Sequence, residues 1–455
     1  MRLIARFAKD KKTHFEVITV YDKKTDVEVV EKANPMVQSI AKRFPTAIWF
    51  ERKIYDDFGI KMEGSFDERP LLHQERFPRN IHPMLKGFKE KNLELGETLA
   101  YNYEKIDGDG IFEVSVGPIH AGIIEAGHFQ FSQAGEDILH LEVRHFYKYR
   151  GIEKSLEGLS LKEARPIIER ISGNESIAYQ IALLDIQMQA SHGSLPLTVQ
   201  KRNALLLEFE RVIHHVTDLG FIANDAGFAP ALTIGSKLSE DARRWMKKLT
   251  NSRFGFGAIT LEITPIELDS FTLYLDALKK EIEWFERWII DIPSLWDRFD
   301  TTGILSIRKT IKYGTVGVVA RASGRVLDRR LNQFYSDHGF IMAGANSGDV
   351  AARFLVRIDE IKNSLLMMRN FLDNEKEEVL YEHLYDGEYN SFVESSLGEL
   401  FMHIELKEGK IERFFVRDPS FINWQALHVM MDGNIIADFP LINKSCDLSY
   451  AGNDL

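Results

Sequence analysis

Gly117-Pro-Ile-His-Ala-Gly-Ile-Ile-Glu-Ala-Gly-His-Phe129 lies inside the strand-like stretch that precedes the helical part of this chain. On either side of it, Ile111-Phe-Glu-Val-Ser-Val116, His128-Phe-Gln-Phe131 and Ile138-Leu-His-Leu-Glu-Val143 show the strand-like alternation of half-buried strands. Past Gly151 the apolar spacing becomes helical. Phe271, Tyr274, Leu278, Ile282, Phe285 and Ile289 fall on one face of a helix predicted over about Phe271–Ile292, and Arg202–Leu219 and Ala351–Leu372 read as two more. A strand pair, Leu400–Leu406 with Arg413–Val416, returns near the end.

Ahead of this stretch the reading is mixed. Arg2–Phe7 and His14–Tyr21 alternate like strands, and Asn34–Arg43 reads as a short helix with Pro35 in its first turn. Residues 45–60 read as strand then helix, closed by Gly59. Residues 63–100 are polar and carry Pro70, Pro78 and Pro83, the pattern of an extended connection. The fold class expected is α+β. A small α+β unit spans 1–90, a connector spans 91–110, and a mainly helical domain with a small β element spans 111–455.

With 455 residues the chain is long enough to bury a sizeable core. Its formal net charge of −11 argues against nucleic acid and bare anionic lipid as partners. No stretch approaches the ~18 apolar residues of a membrane helix, and the first residues do not read as a secretion signal. The single cysteine, Cys446, excludes a disulfide framework, a cysteine-built zinc site and an iron–sulfur cluster held by this chain alone. No P-loop and no dinucleotide fingerprint is present, so direct NADH binding is not expected. Asp107-Gly-Asp-Gly110 reads as a turn, since no acidic residue closes a calcium loop. Glu210 with His214 and His215 lacks zinc-protease spacing and reads as a solvated helix face.

The loop 117–129 carries His120, Glu125 and His128 in an apolar, glycine-rich setting. Buried there, Glu125 would hold its proton near neutral pH, as a proton relay needs. The alternative is a hairpin with a surface glutamate.

Several segments in order carry a family resemblance: loop 117–129, Arg144-His-Phe-Tyr-Lys-Tyr-Arg-Gly-Ile-Glu-Lys154, Glu169-Arg-Ile-Ser-Gly-Asn-Glu175, Glu208-Phe-Glu-Arg-Val-Ile-His-His215, Arg321-Ala-Ser-Gly-Arg325 and Asp447-Leu-Ser-Tyr-Ala-Gly452. Together they resemble the large subunit of membrane-bound, energy-converting nickel–iron hydrogenases and its counterpart, the quinone-site subunit of respiratory complex I. Residues 45–60 resemble the small accessory subunit of complex I, fused in front. In that family four thiolates hold nickel and iron. At their positions this chain has Ser172, Glu175, Ser449 and Gly452, and hydroxyls are poor substitutes for thiolates at nickel or low-spin iron. Cys446 lies three residues ahead of the nearest ligand position and reads as a bystander. The complex I quinone contacts are also replaced: His120 matches the first histidine of that motif, Ile124 stands at the second, and Gly173 stands at the tyrosine.

The resemblance implies a subunit of a membrane-associated, proton- or ion-translocating oxidoreductase complex without a nickel–iron centre, and not an active hydrogenase by itself. Glu125 is the expected proton relay, with His120 and His128 beside it. Arg170, Ser172, Glu175, Tyr179 and Ser449 are the expected lining of the former metal cavity, with Tyr179 or His128 as substitute quinone contacts. No metal is assigned to the chain. Quinone is the acceptor offered by analogy, and iron–sulfur clusters belong to a partner. The expected partners are a small iron–sulfur subunit and membrane-arm subunits, placing the chain in the cytoplasm on the inner face of the membrane. The second reading is a non-catalytic coupling subunit of such a complex.

Overall fold

Leu3–Asp10 (β1) is buried at all eight positions, so it needs a partner on each face. The computed structural model describes residues 1–89, 94–120, 124–260, 268–372 and 383–455. Ala121–Ile123 of the glycine-rich loop and the expected boundary just past residue 90 lie outside the described residues. β1 pairs antiparallel with His14–Tyr21 (β2), which pairs with Thr25–Glu31 (β3). Met36–Gln38 (β4) follows, then the helix Ala47–Phe58 (α1) and Lys61–Glu63 (β5). A second antiparallel sheet joins Ile111–Val116 (β6), His128–Ala134 (β7) and Asp137–Arg144 (β8).

The helical region begins with Ile152–Leu156 (α2), Leu161–Ile168 (α3), Ser176–Ala190 (α4), Leu197–Asp225 (α5) and Ala229–Thr250 (α6). It continues through Leu268–Ile290 (α7), Pro293–Phe299 (α8), Ile307–Tyr313 (α9), Gly317–Arg321 (α10), Gln333–Asp337 (α11) and Val350–Asn370 (α12). Gly387–Glu394 (β9), Glu399–Lys407 (β10) and Lys410–Arg417 (β11) form a third antiparallel sheet. The chain closes with Pro419–Asn423 (α13), Leu427–Met430 (α14), Phe439–Cys446 (α15) and Tyr450–Asp454 (α16). Among the described residues no helix is long and apolar enough to cross a membrane. The α+β class holds.

One face of β1 packs on α1 and the other on the third sheet. Phe7 stacks on Phe415 at 4.3 Å. The guanidinium Nε of Arg417 donates to the Ile4 carbonyl and that of Arg413 to the Ala8 carbonyl, each at 3.1 Å. Glu399 is the polar centre of this seam. It accepts both terminal nitrogens of Arg2 (2.8 and 2.6 Å), Arg329 Nε (2.6 Å) and Arg417 Nη2 (2.5 Å). Burial raises its carboxyl and the arginines more than reverse that, so it stays ionised well below the usual range. Leu3, Phe7 and Phe50 thus share one continuous apolar core with Phe415 and Phe421.

Two local expectations are corrected, besides the strand expected at the start of residues 45–60, where a turn leads directly into the helix Ala47–Phe58. Asn34–Arg43 does not form a helix: Met36–Gln38 is a strand in parallel register with Lys61–Glu63, and the Pro35 carbonyl accepts the Lys61 N–H at 2.9 Å. Only Val37 of the three points inward. Long-range pairing here overrides a weak local preference. The second correction concerns α5. Glu210, His214 and His215 are buried, not solvated. His215 Nε2 lies 2.9 Å from Glu360, and Arg357 reaches Asp218 at 3.3 Å. Arg321 bridges Glu360 and Glu394, and Arg330 bridges Glu208 and Asp328. Charges so deep persist only because each has a partner on another element. The close crossing of α5 and α6 depends on Gly220 and Gly235, since a Cβ at Gly235 would sit 2.8 Å from the Val216 carbonyl.

Replacing Glu399 by Gln would leave the buried guanidiniums of Arg2 and Arg417, and the partly exposed one of Arg329, short of charge. The expected loss is about 3–5 kcal/mol in urea unfolding, as for breaking a buried ion pair. Spectroscopic probes placed in β2 and in β10 should lose signal at the same denaturant concentration.

Candidate functional site

The segment around Ser172 follows α3, and the segment around Ser449 precedes α16. Arg150 ties them together. Its Nη2 donates to the Ile171 carbonyl (2.8 Å) and the Ala451 carbonyl (2.7 Å), while its backbone N–H meets the Leu455 carbonyl at 2.6 Å. Across this clamp Ser172 Oγ and Ser449 Oγ lie 3.0 Å apart. Ser449 caps α16, its Oγ accepting the Gly452 N–H at 2.9 Å. Its own N–H donates to Ser420 Oγ, also at 2.9 Å.

At the fourth position a carboxylate takes the space. A Cβ built on Gly452 would fall 2.1 Å from Asp418 Oδ2 and 2.6 Å from its Cγ. Asp418 is held from two sides. Its Oδ1 accepts the Ser420 N–H at 2.8 Å as the cap of α13, and its Oδ2 accepts the Tyr179 hydroxyl at 2.9 Å. Glu175, fully buried at the start of α4, lies within hydrogen-bonding reach of Asp418. One of its oxygens accepts the Ser395 hydroxyl, and the other has no donor among the described residues. A buried carboxyl beside a second acid is disfavoured as the anion, so Glu175 favours its protonated form. Burial, and then Asp418, push the Glu175 carboxyl well above its usual range.

Behind them Glu210 accepts the N–H groups of Ile177 (2.7 Å) and Ala178 (3.4 Å) at the first turn of α4. Burial outweighs those bonds and pushes its pKa up to about 8. The same burial and carboxylates raise the Tyr179 phenol well above its usual range.

This donor set does not fit a nickel–iron centre. Ser172 and Ser449 are hard hydroxyls bonded to each other, Glu175 is a buried carboxyl that favours its protonated form, and Gly452 offers no donor.

The expected cavity residues divide. Ser172, Glu175, Tyr179 and Ser449 converge on this site. Arg170 does not: its side chain is half exposed, bonded to Glu169 and to the Pro166 carbonyl, and lies over the Phe256 ring at 4.3 Å. A one-residue step from Ile171, which is buried, turns Arg170 to the outside.

Glu125 is half-buried, not desolvated. Its Oε2 accepts the Ala451 N–H at 3.0 Å, and its Oε1 faces Lys148 Nζ at 3.7 Å. It therefore touches the residue next to Gly452 from the outside. His120 and His128 turn to their own sheet: His120 Nε2 meets the Gly127 carbonyl (2.7 Å), and His128 Nε2 lies 3.3 Å from Gln130 Oε1. Ile124 is half exposed and Gly173 has open space around its Cα. Cys446 is buried against Met430, its Sγ 3.5 Å from the thioether.

Asp418 and Glu210 were not anticipated. Asp418-Pro419-Ser420 is a helix-start signal, an acidic cap before a first-turn proline. Nothing local says that this cap faces Gly452.

Fold and site together define a mainly helical scaffold in which the two segments that resemble hydrogenase metal-binding segments meet, with the Asp418 and Glu175 carboxyl groups packed against them. Residues 2–93 match the family described as the respiratory-chain NADH dehydrogenase 30 Kd subunit, and residues 243–385 and 381–454 match the 49 Kd subunit of the same enzyme. A 30 Kd-type segment thus stands in front of a 49 Kd-type segment, and the relatives of this chain include both hydrogenase and NADH-quinone oxidoreductase subunits. It is 26% identical to formate hydrogenlyase subunit 5 of Escherichia coli (strain K12) over 93% of this chain and 78% of that protein. Hydrogenase-4 component G of the same organism is 26% identical over 91% and 75%. The C/D protein of NADH-quinone oxidoreductase from Phocaeicola vulgatus is 26% identical over 91% and 86%.

Gly452→Ala should destabilise the chain by roughly 1–3 kcal/mol, the usual range for overpacking. In the Gly452→Ala/Asp418→Ala double variant the losses should sum to less than the two single losses, because removing the carboxylate makes room for the methyl. A thermal-unfolding double-mutant cycle measures that coupling.

Proposed function

We propose that this chain is the hydrogenase-type subunit of a membrane-associated, ion-translocating oxidoreductase complex, in which the pocket that elsewhere holds metal holds a proton. The observation that carries this reading is the Asp418 carboxylate standing where a side chain at Gly452 would be, in contact with Glu175. Relatives named for formate hydrogenlyase, hydrogenase-4 and NADH-quinone oxidoreductase support the assignment to such a complex. A small iron–sulfur subunit would carry the electrons, and membrane-arm subunits would hold the chain at the inner face of the membrane.

Of the two roles in such a complex, the pocket favours coupling over direct reduction of an acceptor. A quinone carbonyl needs a free donor. Tyr179 donates to Asp418, and of Ser172 and Ser449 one donates to the other, so a single buried hydroxyl is left to donate. Glu175 and Glu210, both raised by burial, are instead suited to taking up and releasing a proton as the surrounding charge changes. Glu125, half-buried on the Ala451 N–H, stands between this pocket and the surface, and in this reading it exchanges protons with solvent.

Glu175→Gln should leave the complex assembled and lower its proton-coupled turnover by at least about tenfold, below the usual range for a general acid–base group and so a conservative threshold. Turnover unchanged in a fully assembled complex would refute the role. The acid–base balance of the chain gives a separate check. The folded Glu210 carboxyl keeps its proton to about pH 8, whereas the unfolded one loses it near 4.5. Stability from this group is therefore full below pH 4.5 and falls as pH rises towards 8. Glu210→Gln keeps an acceptor for α4 and cannot ionise, so its melting temperature should fall less than the parent's between about pH 5 and 8.

A further inference from the structure

α9 presents an unusual outer face. Thr310 is its buried side. Ile307 and Ile311, one turn apart, are 40% and 61% exposed, and Arg308 and Lys312 form a parallel exposed pair. The helix is fixed at both ends, with the Ser306 hydroxyl accepting the Lys309 N–H and Gly314 in the left-handed conformation at its close. Isoleucines left in water on a rigid helix are the residues an interface core uses.

A groove of about 220 Å³ runs beside this helix, lined by Leu3, Arg43, Phe44, Thr46, Ile311 and Lys312. Arg43 and its neighbour Lys42 are exposed on its far wall. Among the described residues none of Lys42, Arg43, Arg308, Lys309 and Lys312 has a carboxylate partner. Of the acids nearby, Asp26 pairs with Lys24 and Glu399 is enclosed by three arginines, so Asp22, which accepts the Arg2 N–H, and the exposed Asp432 near Tyr313 leave the cations in excess. A chain of net charge −11 therefore concentrates these cations around one concave, partly apolar surface.

We propose that this surface docks an acidic segment of a partner subunit, with apolar side chains of that segment seated on Ile307 and Ile311. The proposal rests on the reading of the chain as a subunit of a complex. Charge complementarity selects an acidic occupant. The groove's concavity selects a protruding polypeptide over a bilayer, whose plane meets a flat or convex face, and the negative charge of the rest of the chain opposes approach to anionic lipid.

The test uses the assembled complex. A zero-length carbodiimide joins amines only to carboxylates in contact, so Lys309 or Lys312 should couple to Asp or Glu of a co-purifying subunit, with the link located by mass spectrometry. Both lysines should also acylate at least about tenfold more slowly in the complex than in the free chain, the protection expected where binding is worth ~1.4 kcal/mol or more. Lys309→Glu/Lys312→Glu should weaken retention of that subunit while the free chain keeps its melting temperature. Equal labelling in an intact complex would overturn the docking surface and leave the subunit reading standing. Binding of the free chain to phosphatidylserine vesicles, abolished by the double reversal, would reassign the face to lipid and also overturn it. A chain that purifies without partners would overturn both readings.

Discussion

Two groups cannot occupy one volume, and at the heart of this protein Asp418 and any side chain at 452 compete for the same one. The 2.1 Å separation between a Cβ at Gly452 and Asp418 Oδ2 makes the choice exclusive. With glycine there, Asp418 can cap α13, accept from Tyr179 and meet Glu175. With a ligating side chain there, none of these contacts would survive in place. The positions that resemble thiolate positions therefore form a site with its own bonds, and not one merely lacking donors.

Around that point the fold is arranged to hold charge without metal. Arg150 clasps the two converging segments through carbonyls, so the clamp is independent of which side chains they carry. Deeper in the bundle, Glu208, Asp218, Glu360 and Glu394 are each matched by an arginine from another element. Such networks hold their members in register because removal of any one leaves another charge buried and unpaired. A proton entering at Glu175 changes the field that this lattice of fixed charges feels. That is a physical basis for coupling without electron transfer through the pocket itself.

How much of this could be read in the sequence depended on where each role is decided. Strands β1, β2, β6, β7, β8, β10 and β11 and the helices α5, α7 and α12 were legible, because apolar spacing is a local property. Thr25–Glu31 was not, since an edge strand with mostly exposed side chains carries little alternation. The strand at Met36–Gln38 was hidden for another reason: its partner Lys61–Glu63 lies beyond α1. The resemblance located Ser172 and Ser449, and they do meet, but it also placed Arg170 in the pocket, where side-chain direction excludes it. His215 was illegible because a charged helix face looks the same whether it meets water or the arginines and acids of a neighbour. Asp418 is the sharpest case, a helix cap by local rules and a pocket filler only by virtue of a glycine far along the chain, at 452.

The seating of β1 carries a consequence for how the molecule is made. Arg413 bonds to the Ala8 carbonyl across 405 residues of chain, and Phe7 stacks on Phe415. During synthesis at about 5–20 residues per second, the first strand leaves the ribosome roughly 20–80 s before the surface that covers it. Through that interval β1 can pair with β2 and rest on α1, but its other face has no native neighbour. β1 is thus completed only long after it emerges, and the nascent protein carries an unsatisfied apolar strand throughout that interval.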